Sequence, residues 1–69
     1  MKIGDNVWIS WQDIEACGYG DSVNTNGTIV YKYPPVKNKC GRFLVRYKED
    51  NYPFREVERD FWECDLTLT

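Results

Sequence analysis

Arg42-Phe43-Leu44-Val45-Arg46-Tyr47-Lys48 alternates with a period of two. Phe43, Val45 and Tyr47 fall on one side; Arg42, Arg46 and Lys48 fall on the other, and only Leu44 breaks the rule. That is the signature of a strand with one buried face, because successive side chains of extended backbone point to opposite sides. The same period recurs outward from this segment. Asp5 to Trp11 puts Val7, Ile9 and Trp11 together, and Gly27 to Tyr33 puts Ile29, Tyr31 and Tyr33 together. Trp62 to Thr69 sets Trp62, Cys64, Leu66 and Leu68 against Glu63, Asp65, Thr67 and Thr69. A weaker run spans Phe54 to Glu58. No segment repeats at 3.6, and the runs are rich in β-branched and aromatic residues.

Turn chemistry separates the runs. Asn26-Gly27 suits a tight hairpin turn with positive φ. Pro34-Pro35 cannot donate to a ladder and ends the second run. Glu49-Asp50-Asn51 supplies another turn, and residues 58–61 suit a single 3-10 turn before the last strand. Residues 12–26 read as a long first loop, and long loops in small domains often carry function. The expectation is an all-β domain over residues 1–69, with about five antiparallel strands in a small closed or half-closed barrel. Closure is one way for such a sheet to remove its exposed edges. Ile9, Trp11, Ile29, Tyr31, Phe43, Val45 and Tyr47 then form the core, with Cys64 joining beside Leu66 and Leu68. Trp8 is left pointing outward, with Tyr19, Tyr33, Tyr52 and Trp62 as further outward candidates.

A 69-residue chain buries only about 60% of its unfolded surface, so the core is small. Aromatics make up 16% of the residues and compensate, each able to bury roughly 150–250 Å². No apolar run is long enough to cross a membrane as a helix. The opening Met-Lys-Ile-Gly-Asp has no apolar stretch of the signal-peptide kind. Cys17, Cys40 and Cys64 are odd in number and widely spaced. Reduced thiols and a cytoplasmic location are the expectation, with a Cys17–Cys40 or Cys40–Cys64 bridge as the alternative.

Charge is distributed unevenly. Residues 27–48 hold Lys32, Lys37, Lys39, Arg42, Arg46 and Lys48 and no acid. The flanks are acidic, and the whole chain carries −2. The positive block is also the best strand-like region, so it predicts a positive ribbon on a negative body, an arrangement suited to binding.

Chemistry is poorly supplied. The chain has no His, so proton transfer near neutral pH would need a strongly shifted carboxylate or lysine. Glu56, Glu58, Asp60, Glu63 and Asp65 read as solvated outward residues. Three separated cysteines do not supply the paired ligands of a structural zinc site. No catalytic residue, metal site or cofactor is expected. Asn26-Gly27-Thr28 matches a glycosylation sequon but reads more simply as a turn.

The order Gly4-Asp5-Asn6-Val7-Trp8, Gly27-Thr28-Ile29-Val30, Phe43-Leu44-Val45-Arg46-Tyr47 and Asp65-Leu66 resembles the SH3-like barrels of prokaryotic and phage proteins. Tudor-like and KOW-like domains are among these. The likeness covers nearly the whole chain, through motifs that recur in many small barrels. It implies a non-enzymatic domain that binds peptides, methylated side chains or nucleic acid. Size and acidity also resemble phage and mobile-element inhibitors, anti-CRISPR proteins among them. The first expectation is therefore a protein-binding module, with an inhibitor of a host protein as the form that this second likeness implies. Its candidate contacts are Trp8, Tyr19, Tyr33, Lys37, Lys39, Arg42, Arg46, Lys48 and Trp62. The rival is a nucleic-acid binder that stacks bases on Tyr31, Tyr33 and Tyr47 along the basic hairpin. A third reading pairs Arg42, Arg46 and Lys48 with acids on neighbouring strands.

Overall fold

The computed structural model describes residues 1–12, 22–49 and 53–69. The deciding segment is a strand over its whole length. It is β3, Arg42–Lys48, with Phe43, Val45 and Tyr47 buried. Around it lie β1 (Asn6–Gln12), β2 (Ser22–Lys32), β4 (Glu56–Trp62) and β5 (Leu66–Leu68), with a 3-10 turn at Glu63–Asp65. All are antiparallel in one sheet, ordered β4-β3-β2-β1-β5. Among the described residues no ladder joins the edge strands β4 and β5. No helix there is long and apolar enough to cross a membrane.

The core lies on one face: Val7, Ile9, Val23, Ile29, Phe43, Val45, Tyr47, Phe61 and Leu66. The sheet coils over it. Trp11 of β1 meets Phe61 of β4 edge-on at 6.2 Å, although β2 and β3 lie between their strands. Arg59 points to this same side of the edge strand, and its guanidinium lies 4.8 Å from the Trp11 ring centre. An inward-aimed charge on an edge strand discourages pairing with another chain.

Several boundaries differ from those the sequence suggests. The 3-10 turn falls at Glu63–Asp65 and not at 58–61, and β4 runs through Trp62 in place of a short 54–58 strand. The final strand shrinks to Leu66–Leu68. Cys64 is therefore exposed in the turn and not in the core, because alternation holds only for extended backbone. Tyr31 is also exposed, not buried. Ile29 pairs with Val45 but Tyr31 pairs with Leu44, so β2 carries one extra residue. Such a bulge reverses the phase of everything beyond it. The first connection is shorter than residues 12–26, since β2 begins at Ser22. Cys17, Tyr19 and Tyr52 lie outside the described residues.

Asn26-Gly27 is not a turn. It sits inside β2, where Gly27 is opposite Val7 on one side and Tyr47 on the other. A Cβ there would lie 2.6 Å from Val45 Cγ1 and 3.0 Å from the Arg46 carbonyl oxygen. The glycine answers a close approach of β2 and β3, not a positive φ. Gly27→Ala should therefore overpack the centre of the sheet and cost about 1–3 kcal/mol. Urea titration checks this, and an unchanged midpoint would contradict it.

Candidate interaction surface

The β2 bulge has a second consequence. It turns Tyr31 and Tyr33 outward at the end of the sheet where β2 leaves for β3. Their rings meet edge-on at 4.9 Å. β3 returns with Arg42, whose guanidinium lies 4.6 Å from the Tyr33 ring centre. β4 brings Trp62 opposite Arg42 and Asp60 opposite Leu44. In the connecting segment Lys39 donates its backbone N–H to the Val36 carbonyl at 3.2 Å. Asn38 adopts φ 64°, a conformation Asn tolerates. The Lys39 ammonium then lies 5.4 Å from the Trp62 ring centre. Exposed cation–π contacts are worth about 0.5–1 kcal/mol each, enough to bias these side chains without fixing them.

Asp60 is the anchor of the cluster. The Tyr33 hydroxyl donates to Asp60 Oδ1 at 2.6 Å, and Arg42 donates to Oδ2. The Tyr33 hydrogen bond, followed by Arg42, holds the Asp60 carboxyl below its ordinary range. The same hydrogen bond, with the adjacent negative charge, pushes the Tyr33 phenol upward. A depressed carboxyl stabilises the fold above its unfolded pKa and loses that contribution as pH falls through the folded one. A raised phenol contributes below its unfolded pKa and loses that contribution as pH rises through the folded one. The pair thus contributes fully between the ordinary Asp and Tyr values. Asp60→Asn should cost about 0.5–1 kcal/mol at neutral pH, since the group is part-exposed. It should also flatten the acid limb of stability against pH. An unchanged acid limb would show that Asp60 is not the responsible group.

The remaining candidates lie elsewhere. Arg46 donates to Glu58 Oε2 at 2.9 Å and lies 3.6 Å from Glu56 Oε1. Lys48 is opposite Glu56 in register, beside an open hollow of about 220 Å³ that Asn6 and Thr28 also line. Trp8 is 40% exposed on the outer face of β1, between Asn26 and Thr67. The structure thus gathers Tyr33, Lys39, Arg42 and Trp62, with Lys37 in the same connecting segment. It leaves Trp8, Arg46 and Lys48 apart from them. Tyr19 lies outside the described residues. Sequence reasoning passed over Asp60 as a partner for Tyr33, and it placed Tyr31 inside. The one signal for Asp60 was its even spacing with Glu56, Glu58 and Trp62 along β4.

No protein-family model matches the chain, and no curated protein or solved structure matches it.

Proposed function

We propose that this chain is a non-enzymatic binding module with an SH3-like, half-open barrel. We further propose that it docks an acidic segment of another protein against the Tyr31–Tyr33–Arg42–Trp62 end. Strand order β4-β3-β2-β1-β5 and the Trp11–Phe61 contact support the barrel reading. The observation that carries the functional reading is the gathering of aromatic rings and cations at one end of the sheet. Lys39 lies against Trp62 and Lys37 sits in the same connecting segment, and among the described residues neither lies within ion-pair distance of a carboxylate. Aromatic rings and arginine supply much of the energy of protein interfaces, while flanking charge steers approach.

Nucleic acid is disfavoured by a specific feature. Arg42 and Arg46, the central cations of the hairpin, are already answered by Asp60 and Glu58. With the β3 ribbon neutralised, an extended phosphate backbone loses the track it would follow, and the lysines of the 34–41 segment are left for a short acidic segment. The test is capture from nuclease-treated lysate on immobilised wild-type chain and on a Lys37→Glu/Lys39→Glu variant. A protein retained by the first and lost from the second supports the reading. Loss of all specific capture after nuclease treatment would transfer it to nucleic acid. An inhibitory role of the phage or mobile-element kind requires that the captured protein also loses activity when the chain is added.

A further inference from the structure

Cys40 stands just before β3, and Cys64 is the middle residue of the 3-10 turn. They are 24 residues apart in sequence, yet their Sγ atoms lie 3.5 Å apart and share a thiol hydrogen bond. Both are exposed and unbridged. Their closeness is built into the backbone. Arg42 pairs with Trp62 at the end of the β3–β4 ladder. One step further, the Glu63 N–H donates to the Gly41 carbonyl at 2.7 Å. The next pair in that register is Cys40 with Cys64. A Cβ on Gly41 would lie 3.2 Å from the Phe43 ring and 3.4 Å from Glu63 Oε2.

We infer that Cys40 and Cys64 form a reversible dithiol–disulfide site, which a low-molecular-weight disulfide oxidises and a dithiol reductant restores. Closing it requires the sulfurs to approach to about 2.05 Å. Both side chains are exposed and lie outside the strands, so rotation about χ1 can supply the movement. The environment also assigns the roles. The backbone N–H of Cys64, followed by its thiol hydrogen, stabilises a thiolate on Cys40 and lowers that group. The same hydrogen bond to Cys40 raises Cys64. The lowered group makes Cys40 the more readily ionised of the two sulfurs and the first one open to a disulfide, while the site itself rests on the 3.5 Å approach of the pair.

In the first step the Cys40 thiolate attacks one sulfur of a disulfide such as oxidised glutathione. A Cys40–glutathione bond forms, the glutathione S–S bond breaks, and one glutathione thiolate leaves. In the second step the Cys64 thiol gives its proton to solvent and attacks Cys40 Sγ, releasing the second glutathione thiolate. The two protein thiols are oxidised by two electrons, and one oxidised glutathione becomes two reduced ones. The product ties the 34–41 segment, which carries Lys37 and Lys39, to the end of β4. The site stands on its own geometry, whatever partner the chain binds.

The full chain is incubated with oxidised glutathione under native conditions, then mapped by intact mass and non-reducing peptide analysis. The expected product is a monomer lighter by two hydrogens with a Cys40–Cys64 linked peptide, reversed by dithiothreitol. Its Tm should rise by about 10 °C, because the bridge restricts the unfolded chain. A Cys64→Ser variant should instead accumulate glutathione on Cys40. A bridge to Cys17, a disulfide-linked dimer, or a wild-type chain that keeps glutathione would each overturn the assignment.

Discussion

Phe61→Ala should remove about 3–5 kcal/mol of stability, the largest loss expected of any single substitution in this chain. Phe61 is 2% exposed, and it connects two parts of the coiled sheet. It meets Trp11 edge-on at 6.2 Å and Tyr47 at 5.8 Å. Truncating a buried Phe to Ala typically costs about 3–5 kcal/mol, the lost transfer energy plus the cavity left behind. A 69-residue domain has a total stability of only about 3–10 kcal/mol. The loss therefore takes a large share of the total and, at the lower end of that range, all of it. Near-ultraviolet circular dichroism and urea titration read the outcome, with Ile29→Val as a mild control at about 1 kcal/mol. A Phe61→Ala variant unfolding within about 1 kcal/mol of wild type would mean the Trp11–Phe61 contact does not close the core.

The second large effect concerns binding. Lys37→Glu together with Lys39→Glu should weaken the captured partner by roughly a hundredfold, about 2.7 kcal/mol, since like charges then face each other across the contact. Both residues are exposed and lie between β2 and β3, so the fold should survive with its melting transition in place. The weakening should also shrink as salt is raised, because the groups are solvent-accessible. Trp8→Ala, on the outer face of β1, is the contrast. It should leave affinity within about threefold, since contacts outside a hot spot are close to neutral.

Much of the fold was legible from alternation alone. The Arg42–Lys48 strand, the outward Trp8 and the five-strand count follow from side chains pointing to alternate faces. Failures occurred where the backbone stopped being regular. The extra residue between Ile29 and Tyr31 reversed the phase of β2, so Tyr31, expected in the core, moved outside and joined Tyr33 at the centre of the candidate surface. A single sequence does not mark such a bulge, because Val30 is as apolar as its neighbours. The 3-10 turn at Glu63–Asp65 likewise cut the apparent Trp62–Thr69 alternation and exposed Cys64. Asn26-Gly27 misled because the local code for a turn and the long-range need for a residue without a Cβ select the same glycine. Ion pairing of Arg42 and Arg46 was one of the sequence readings, and it changes the positive ribbon. What is left for a partner is the lysine-bearing end, not the whole face of β3.

The central claim is that this end selects an acidic polypeptide over nucleic acid. ¹⁵N-labelled protein titrated with a poly-glutamate peptide, and separately with single-stranded DNA of equal charge, tests it directly. Amide shift changes for the peptide should be confined to Tyr31–Arg42 and Trp62, and the peptide should bind more tightly than the DNA. Tighter binding of the DNA, or shifts centred on Trp8, Arg46 and Lys48, would contradict the account.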